Sequence, residues 1–192
     1  MSESSVAHSV ATGRQMVIAR MSEWLQAGQR VWLCTIVETW GSSPRPVGSW
    51  LAIAESGHWS GSVSGGCLEE DLLRRTAEDG PDHPVFVDYG ITDDDRDHFQ
   101  LPCGGRIRLL VEPFQGQSGL DHVNALAGAL RDREPVVRRV PLKGIVALER
   151  AAVRAGKAVS FDGEKLVHVL QPECRLLLIG AGEVARYVAE FA

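Results

Sequence analysis

Gly61-Ser-Val-Ser-Gly-Gly-Cys-Leu-Glu69 is where this chain passes from strand to helix, and its reading decides the fold class. Upstream, Trp50-Leu-Ala-Ile-Ala54, the turn Glu55-Ser-Gly-His58 and the run from Trp59 to Val63 read as a hairpin. Downstream, Leu68-Glu-Glu-Asp-Leu-Leu-Arg-Arg75 is amphipathic at helical spacing, and the helix is expected to run from about Leu68 to Asp79. A hairpin feeding a helix, with further strand candidates behind it, places the chain in the α/β class.

The same stretch carries chemistry. Gly65 and Gly66 free the backbone for conformations closed to residues with a Cβ and allow a ligand to approach it closely. Ser62, Ser64, Gly65 and Gly66 can supply a nest of donors for a phosphate-sized anion. Cys67 falls at the expected helix N-terminus, where unpaired N–H groups and the helix dipole favour negative charge and lower a thiol's pKa. Two readings of Cys67 stand: a ligand-site thiolate, or a small buried residue at a tight turn. Glu69 lies in the first helical turn, where a carboxylate serves as a cap whether or not it meets a ligand. Cys103, followed by Gly104 and Gly105, has a similar glycine-flanked setting without a helix behind it. It reads equally as a second sulfur of the site or as a packed turn residue. The expectation is that Gly61–Glu69 and Leu101–Gly105 line one cleft.

Outward from there, Val17, Ile18, Met21, Trp24 and Leu25 mark an amphipathic helix from about Val10 to Ala27, with Gly28 as its stop. Val31–Val37 reads as a buried strand, which makes Cys34 a core residue. Gly41-Ser-Ser-Pro-Arg-Pro-Val-Gly48 breaks regular structure. Strands are expected at Pro84–Asp88, Arg106–Glu112 and Pro135–Val140, with a helix over Gly119–Arg131. Ile145–Arg154 has a helical composition amid strand signals and stays ambiguous. Asp162-Gly163 between Ala158–Phe161 and Lys165–Val169 is a hairpin signal. The acidic run Asp93-Asp-Asp-Arg-Asp-His98 lacks the glycine of a calcium loop and reads as a solvated loop.

A second unit begins near Pro172. Leu176-Leu-Leu-Ile-Gly-Ala-Gly-Glu-Val-Ala185 is an apolar strand running into G-x-G-x-x-A, the opening of a dinucleotide-binding fold. The chain is therefore read as residues 1–171, an α/β domain with a mixed sheet and flanking helices, followed over 172–192 by the first strand and part of the first helix of a Rossmann-like domain. Gly180 and Gly182 would cradle a pyrophosphate in a complete domain. With one strand and part of a helix, no nucleotide binding is expected, and the segment after Pro172 should be the least well packed.

The 192 residues carry a formal charge of −5 with the signs interspersed, which argues against a nucleic-acid partner. No apolar run approaches the roughly 20 residues that span a bilayer. The first residues, Met1-Ser-Glu-Ser-Ser-Val-Ala-His8, lack the pattern of a signal peptide. A cytoplasmic location is expected, with the four cysteines reduced.

The motifs taken in order, Gly41–Gly48, Gly61–Glu69, Leu101–Gly105 and Leu177–Gly182, resemble the XdhC/CoxI family of molybdoenzyme accessory proteins. The resemblance implies an α/β N-terminal domain and a C-terminal Rossmann-like domain. It also implies a chaperone, rather than an enzyme, that binds molybdenum cofactor (molybdopterin) and helps insert its sulfurated form into a xanthine dehydrogenase-type enzyme. A cysteine desulfurase is a further partner to consider, and a homodimer a possible assembly. The cofactor is a phosphorylated pterin dithiolene, so its binder needs an anion nest and a soft ligand. The expected contacts are Ser42, Ser43, Arg45, Ser62, Ser64, Gly65, Gly66, Cys67, Glu69, Cys103, Gly104 and Gly105, with Cys67 able to touch the molybdenum or its terminal sulfur. Two other classes compete. One is an NAD(P)-dependent oxidoreductase, suggested by G-x-G-x-x-A alone. The other is a thiol enzyme using Cys67 and Cys103 as a redox or persulfide-carrying pair.

Overall fold

The computed structural model describes residues 13–41, 43, 45–66, 68–90, 106–152, 156–171, 179–180, 182–184 and 187. Ser42, Cys67, Cys103, Gly104 and Gly105 lie outside the described residues, as does most of the expected strand at 176–179.

Helix α1 (Gly13–Gln26) leads into strand β1 (Val31–Trp40), and β2 (Trp50–Ala54) and β3 (Trp59–Gly61) form the expected hairpin. Helix α2 (Glu69–Asp79) follows the glycine turn, then come β4 (Val85–Tyr89), β5 (Arg106–Phe114) and helix α3 (Gly116–Arg131). The remaining strands are β6 (Val136–Pro141), β7 (Ala147–Arg150), β8 (Val159–Phe161) and β9 (Lys165–Leu170). The α/β class stands. The strands form two sheets, ordered β3-β2-β1-β5-β4 and β7-β6-β9-β8, and every described pairing is antiparallel. The physical reason is connection length: most of these neighbours in sequence are joined by turns too short for a parallel crossover. The ambiguous stretch after Ile145 contributes β7, an edge strand whose partner β6 supplies what its composition did not.

The five-stranded sheet is the middle layer. Val31 and Leu33 of β1, with Trp50 and Ala52 of β2, face Val17, Ile18, Met21 and Leu25 of α1 and Val123 and Leu126 of α3. On the opposite face, Trp32, Cys34 and Ile36 meet Leu68 and Leu72 at α2, together with Ile107, Leu109 and Val111 of β5. This alternation is why β1 is buried throughout Val31–Val37: each face has its own cover. Each fully buried aliphatic side chain here contributes roughly 1.5–3 kcal/mol of transfer free energy. The four-stranded sheet closes against the first through Val37 and Leu110 on one side and Val140, Val159 and Leu166 on the other.

Register places the loops. Trp40 pairs with Arg106, Tyr89 with Ile107, Trp50 with Thr35 and Gly61 with Leu51. The turn after β1, the turn after β3 and the β4–β5 connection therefore all leave the same end of the five-stranded sheet. Near that end β1 carries a bulge between Ile36 and Glu38, which reverses the facing of every later residue. Among the described C-terminal residues, Ile179 is 92% exposed, and Val184 and Tyr187 are exposed as well.

Candidate functional site

Gly61 closes β3 at φ +93°, and a Cβ there would stand 2.3 Å from the Trp50 carbonyl oxygen. The chain then turns over the sheet end through Ser62–Gly66 and enters α2. Gly65 and Gly66 take φ +86° and +134°, and an added Cβ at either would meet nothing within 4 Å. Both are glycine for backbone conformation, and both present open backbone to solvent.

The donor nest expected from the sequence exists, and its anion is the protein's own Glu69. One carboxylate oxygen accepts hydrogen bonds from the Ser62 hydroxyl (2.8 Å), the Val63 amide (2.9 Å) and the Ser64 amide (3.1 Å). The other accepts from the Gly66 amide at 2.9 Å and from the Ser64 hydroxyl. Ser64 Oγ in turn accepts from the Leu68 amide at 2.8 Å, and Ser62 Oγ from the Gly65 amide at 3.0 Å. Glu69 is 3% exposed. Burial by itself would raise its pKa, but the bonds from the Ser64 hydroxyl, the Ser64 and Val63 amides and the Ser62 hydroxyl outweigh it and hold it at about 2. The Val63, Ser64 and Gly66 amides are thus spent on a side chain three to six residues downstream, so of the donors the sequence offered to a phosphate the Ser64 and Gly66 amides are already taken.

Within the first turn of α2, Asp71 accepts from the Tyr89 hydroxyl at 2.8 Å and pairs with Arg74 and Arg75. Burial raises the Asp71 pKa, and the Tyr89, Arg75 and Arg74 bonds more than reverse it, leaving it below the ordinary carboxylate value. This ties the start of α2 to the end of β4, beside the β4–β5 connection. In the 41–48 turn, the Ser43 hydroxyl donates to the Arg45 carbonyl at 2.8 Å, and the Arg45 side chain is exposed. Cys34, on β1 beneath α2, is buried. Burial, followed by the Glu112 and Glu69 charges, pushes its thiol far up, so it stays protonated.

The structure therefore brings Ser62, Ser64, Gly65, Gly66 and Glu69 into one cluster and places the turn of Ser43 and Arg45 at the same sheet end. Residues 101–105 lie outside the described residues. Sequence reasoning missed Trp40 and Arg106. These two cross-strand neighbours stack with the guanidinium carbon 4.6 Å from the indole centroid. The bulge that sets Trp40 on this face leaves no mark in a run as apolar as Val31–Val37. Among the described residues, no group of three or more His, Cys, Asp or Glu side chains is arranged to hold a metal. No described helix is long and apolar enough to cross a membrane.

A covered antiparallel sheet with its β1, β3 and β4–β5 turns at one end makes this an α/β protein. Residues 24–90 match the model of the XdhC and CoxI family, so this segment is similar to that family. A relative, the molybdenum cofactor insertion chaperone PaoD of Escherichia coli (strain K12), is 32% identical over 117 residues, covering 59% of this chain. The chain spans 35% of that relative's length. A crystal structure described as a xanthine dehydrogenase from Bacillus halodurans matches with a TM-score of 0.57 at 21% identity, over 81% of this chain and 52% of that one. At that identity the likeness concerns the fold.

Proposed function

We propose that the chain is a molybdenum-cofactor accessory protein. It binds the phosphorylated pterin dithiolene at the sheet end where the 41–48, 62–68 and 90–105 segments leave the strands, and it passes the cofactor to a molybdoenzyme of the xanthine dehydrogenase type. The observation that carries the reading is that β1, β3 and the β4–β5 pair all open at one end of the sheet, in a chain whose residues 24–90 match the XdhC and CoxI family model. The relative described as a molybdenum cofactor insertion chaperone supports it. The chemistry of this sheet end fits the group. Gly65 and Gly66 expose backbone with free space beside it, and Trp40, 40% exposed, offers an aromatic face. When bound, the cofactor supplies a molybdenum centre with soft sulfur ligands, for which the Cys67 thiol is the matched donor.

In this reading the protein's own groups bind and orient. Glu69 shapes the 62–66 turn from within, Ser43 and Arg45 contribute from the neighbouring turn, and Cys67 stands between Gly66 and Leu68, whose amides bond Glu69 and Ser64. Assistance with sulfuration, contact with a cysteine desulfurase and a homodimeric assembly belong to the same proposal. The test is whether the purified 192-residue chain retains molybdopterin after gel filtration, read by fluorescence of the oxidised pterin. Retention by the wild type, and loss in Cys67→Ala with an unchanged melting temperature, is the expected result. No retention by the wild type would reject the function, and full retention by Cys67→Ala would reject the thiol's part in it.

A further inference from the structure

With the Val63, Ser64 and Gly66 amides committed to Glu69, and those of Ser62 and Gly65 to Trp50 and Ser62 Oγ, an anion arriving at this sheet end needs another partner. Two arginines on one face of β5 differ sharply. Arg108 is neutralised: its Nε and Nη2 donate to Asp88 at 2.7 and 3.0 Å, and Nη1 lies 3.7 Å from Glu38. Arg106, two residues earlier, has no hydrogen bond or ion pair among the described residues, and its Nε is buried without a partner. What holds it is Trp40, its cross-strand neighbour, whose ring lies beneath the guanidinium at 4.6 Å.

The bulge between Ile36 and Glu38 makes this contact possible. Cys34 and Ile36 face α2, and unbroken alternation would send Trp40 to the same side. The extra residue turns it to the face of Arg106. A guanidinium laid on an indole loses rotamer freedom before any ligand arrives, and it keeps a planar fork of donors suited to two oxygens of one phosphate. Arg45 also carries charge at this sheet end, but it is exposed and makes no stacking contact among the described residues.

We propose that Arg106, held on Trp40, is the anion subsite of this sheet end and receives a phosphomonoester. The identity of that ester as the terminal phosphate of the pterin rests on the function proposed above; the anion site itself does not. The 62–66 turn then shapes the site without touching the phosphate.

The experiment uses inorganic phosphate as the first probe, followed by ³¹P line broadening with the whole chain. Saturable binding is expected for the wild type, weakened about tenfold or more in Arg106→Gln, with Arg106→Lys intermediate because it keeps the charge and loses the fork. Arg20→Gln, on the exposed side of α1, should bind phosphate as the wild type does. The second probe is molybdopterin: Arg106→Gln should weaken its binding and leave that of the dephosphorylated pterin unchanged. Should Arg106→Gln lower the melting temperature, the Arg106→Lys result decides. No saturable phosphate binding by the wild type, unchanged binding in Arg106→Gln, or an equal loss in Arg20→Gln would overturn the proposal. Arg106-dependent phosphate binding by a chain that takes up neither pterin would uphold the subsite and reject the function.

Discussion

Glu69 answers at the scale of a single residue what the glycine turn is for. Five donors converge on its two oxygens. Removing the carboxylate leaves two hydroxyls and three amides to find other partners in a site with little water. Glu69→Ala should therefore destabilise the fold by about 3 kcal/mol in urea unfolding, since bonds to a buried charge each contribute more than neutral ones. A loss below the level of a surface substitution would show the cluster to be looser than its distances. The carboxylate also has a pH signature. Its pKa is about 2 in the folded state against an ordinary 4.5, so its contribution is complete above 4.5 and is lost as pH falls from there towards 2. Glu69→Gln should remove that part of the acid profile. That a carboxylate is favoured at this position was legible in the sequence from its place in the first helical turn. The filled nest was not: amide donors are anonymous in a sequence, and nothing in Ser62–Gly66 tells whether their acceptor is a ligand or a side chain a few residues on.

Elements show which signals survive folding and which are made by it. The hairpins at Trp50–Gly61 and Val159–Leu170 were legible because turn chemistry is local: Gly57 and Gly163 each take positive φ between apolar runs. The bulge in β1 was not legible, since it is fixed by the register of β5, some 70 residues away in sequence. Strand β7 was obscured for a similar reason, its alanines and charges carrying a helical propensity that pairing with β6 overrides. The turn glycines make a paired prediction. Gly57 at φ +83° has nothing within 4 Å of an added Cβ, whereas one at Gly61 would meet the Trp50 carbonyl at 2.3 Å and Val17 at 2.8 Å. Gly57→Ala should cost about 1 kcal/mol, the strain of the left-handed backbone alone. Gly61→Ala adds a clash with the backbone of β2 and with α1, and should cost roughly 2 kcal/mol more, on the scale of overpacking a core. Equal unfolding midpoints for the two variants would contradict this account of the β3 end.

At the scale of the whole molecule, the two sheets are pinned by charge as well as by apolar contact. Arg138 of β6, fully buried, donates to Glu112 of β5 at 2.7 Å, and its Nε donates to His122 Nε2 of α3 at 3.3 Å. Because His122 is the acceptor, the bond requires a neutral imidazole. Burial first, and then the Arg138 charge, lower its pKa to about 4. His168 of β9 is depressed in the same direction by burial and by the Arg138 and Arg14 charges. The sign follows. In the unfolded chain both histidines take up protons as pH falls through 6.5, while the folded protein resists until about pH 4 at His122. Stability is therefore full above 6.5 and declines between 6.5 and 4, each histidine adding up to about 1.4 kcal/mol per pH unit. His122→Gln should remove its share of that slope in urea midpoints measured across this range, leaving the share of His168. The ion pair has its own test. Truncating one partner, as in Arg138→Ala, strands the Glu112 carboxylate between the sheets and should cost about 3–5 kcal/mol. Replacing both with apolar residues of similar volume, Arg138→Met with Glu112→Leu, should recover most of that loss. A double variant no more stable than Arg138→Ala alone would mean that the pair is held for something other than joining the sheets.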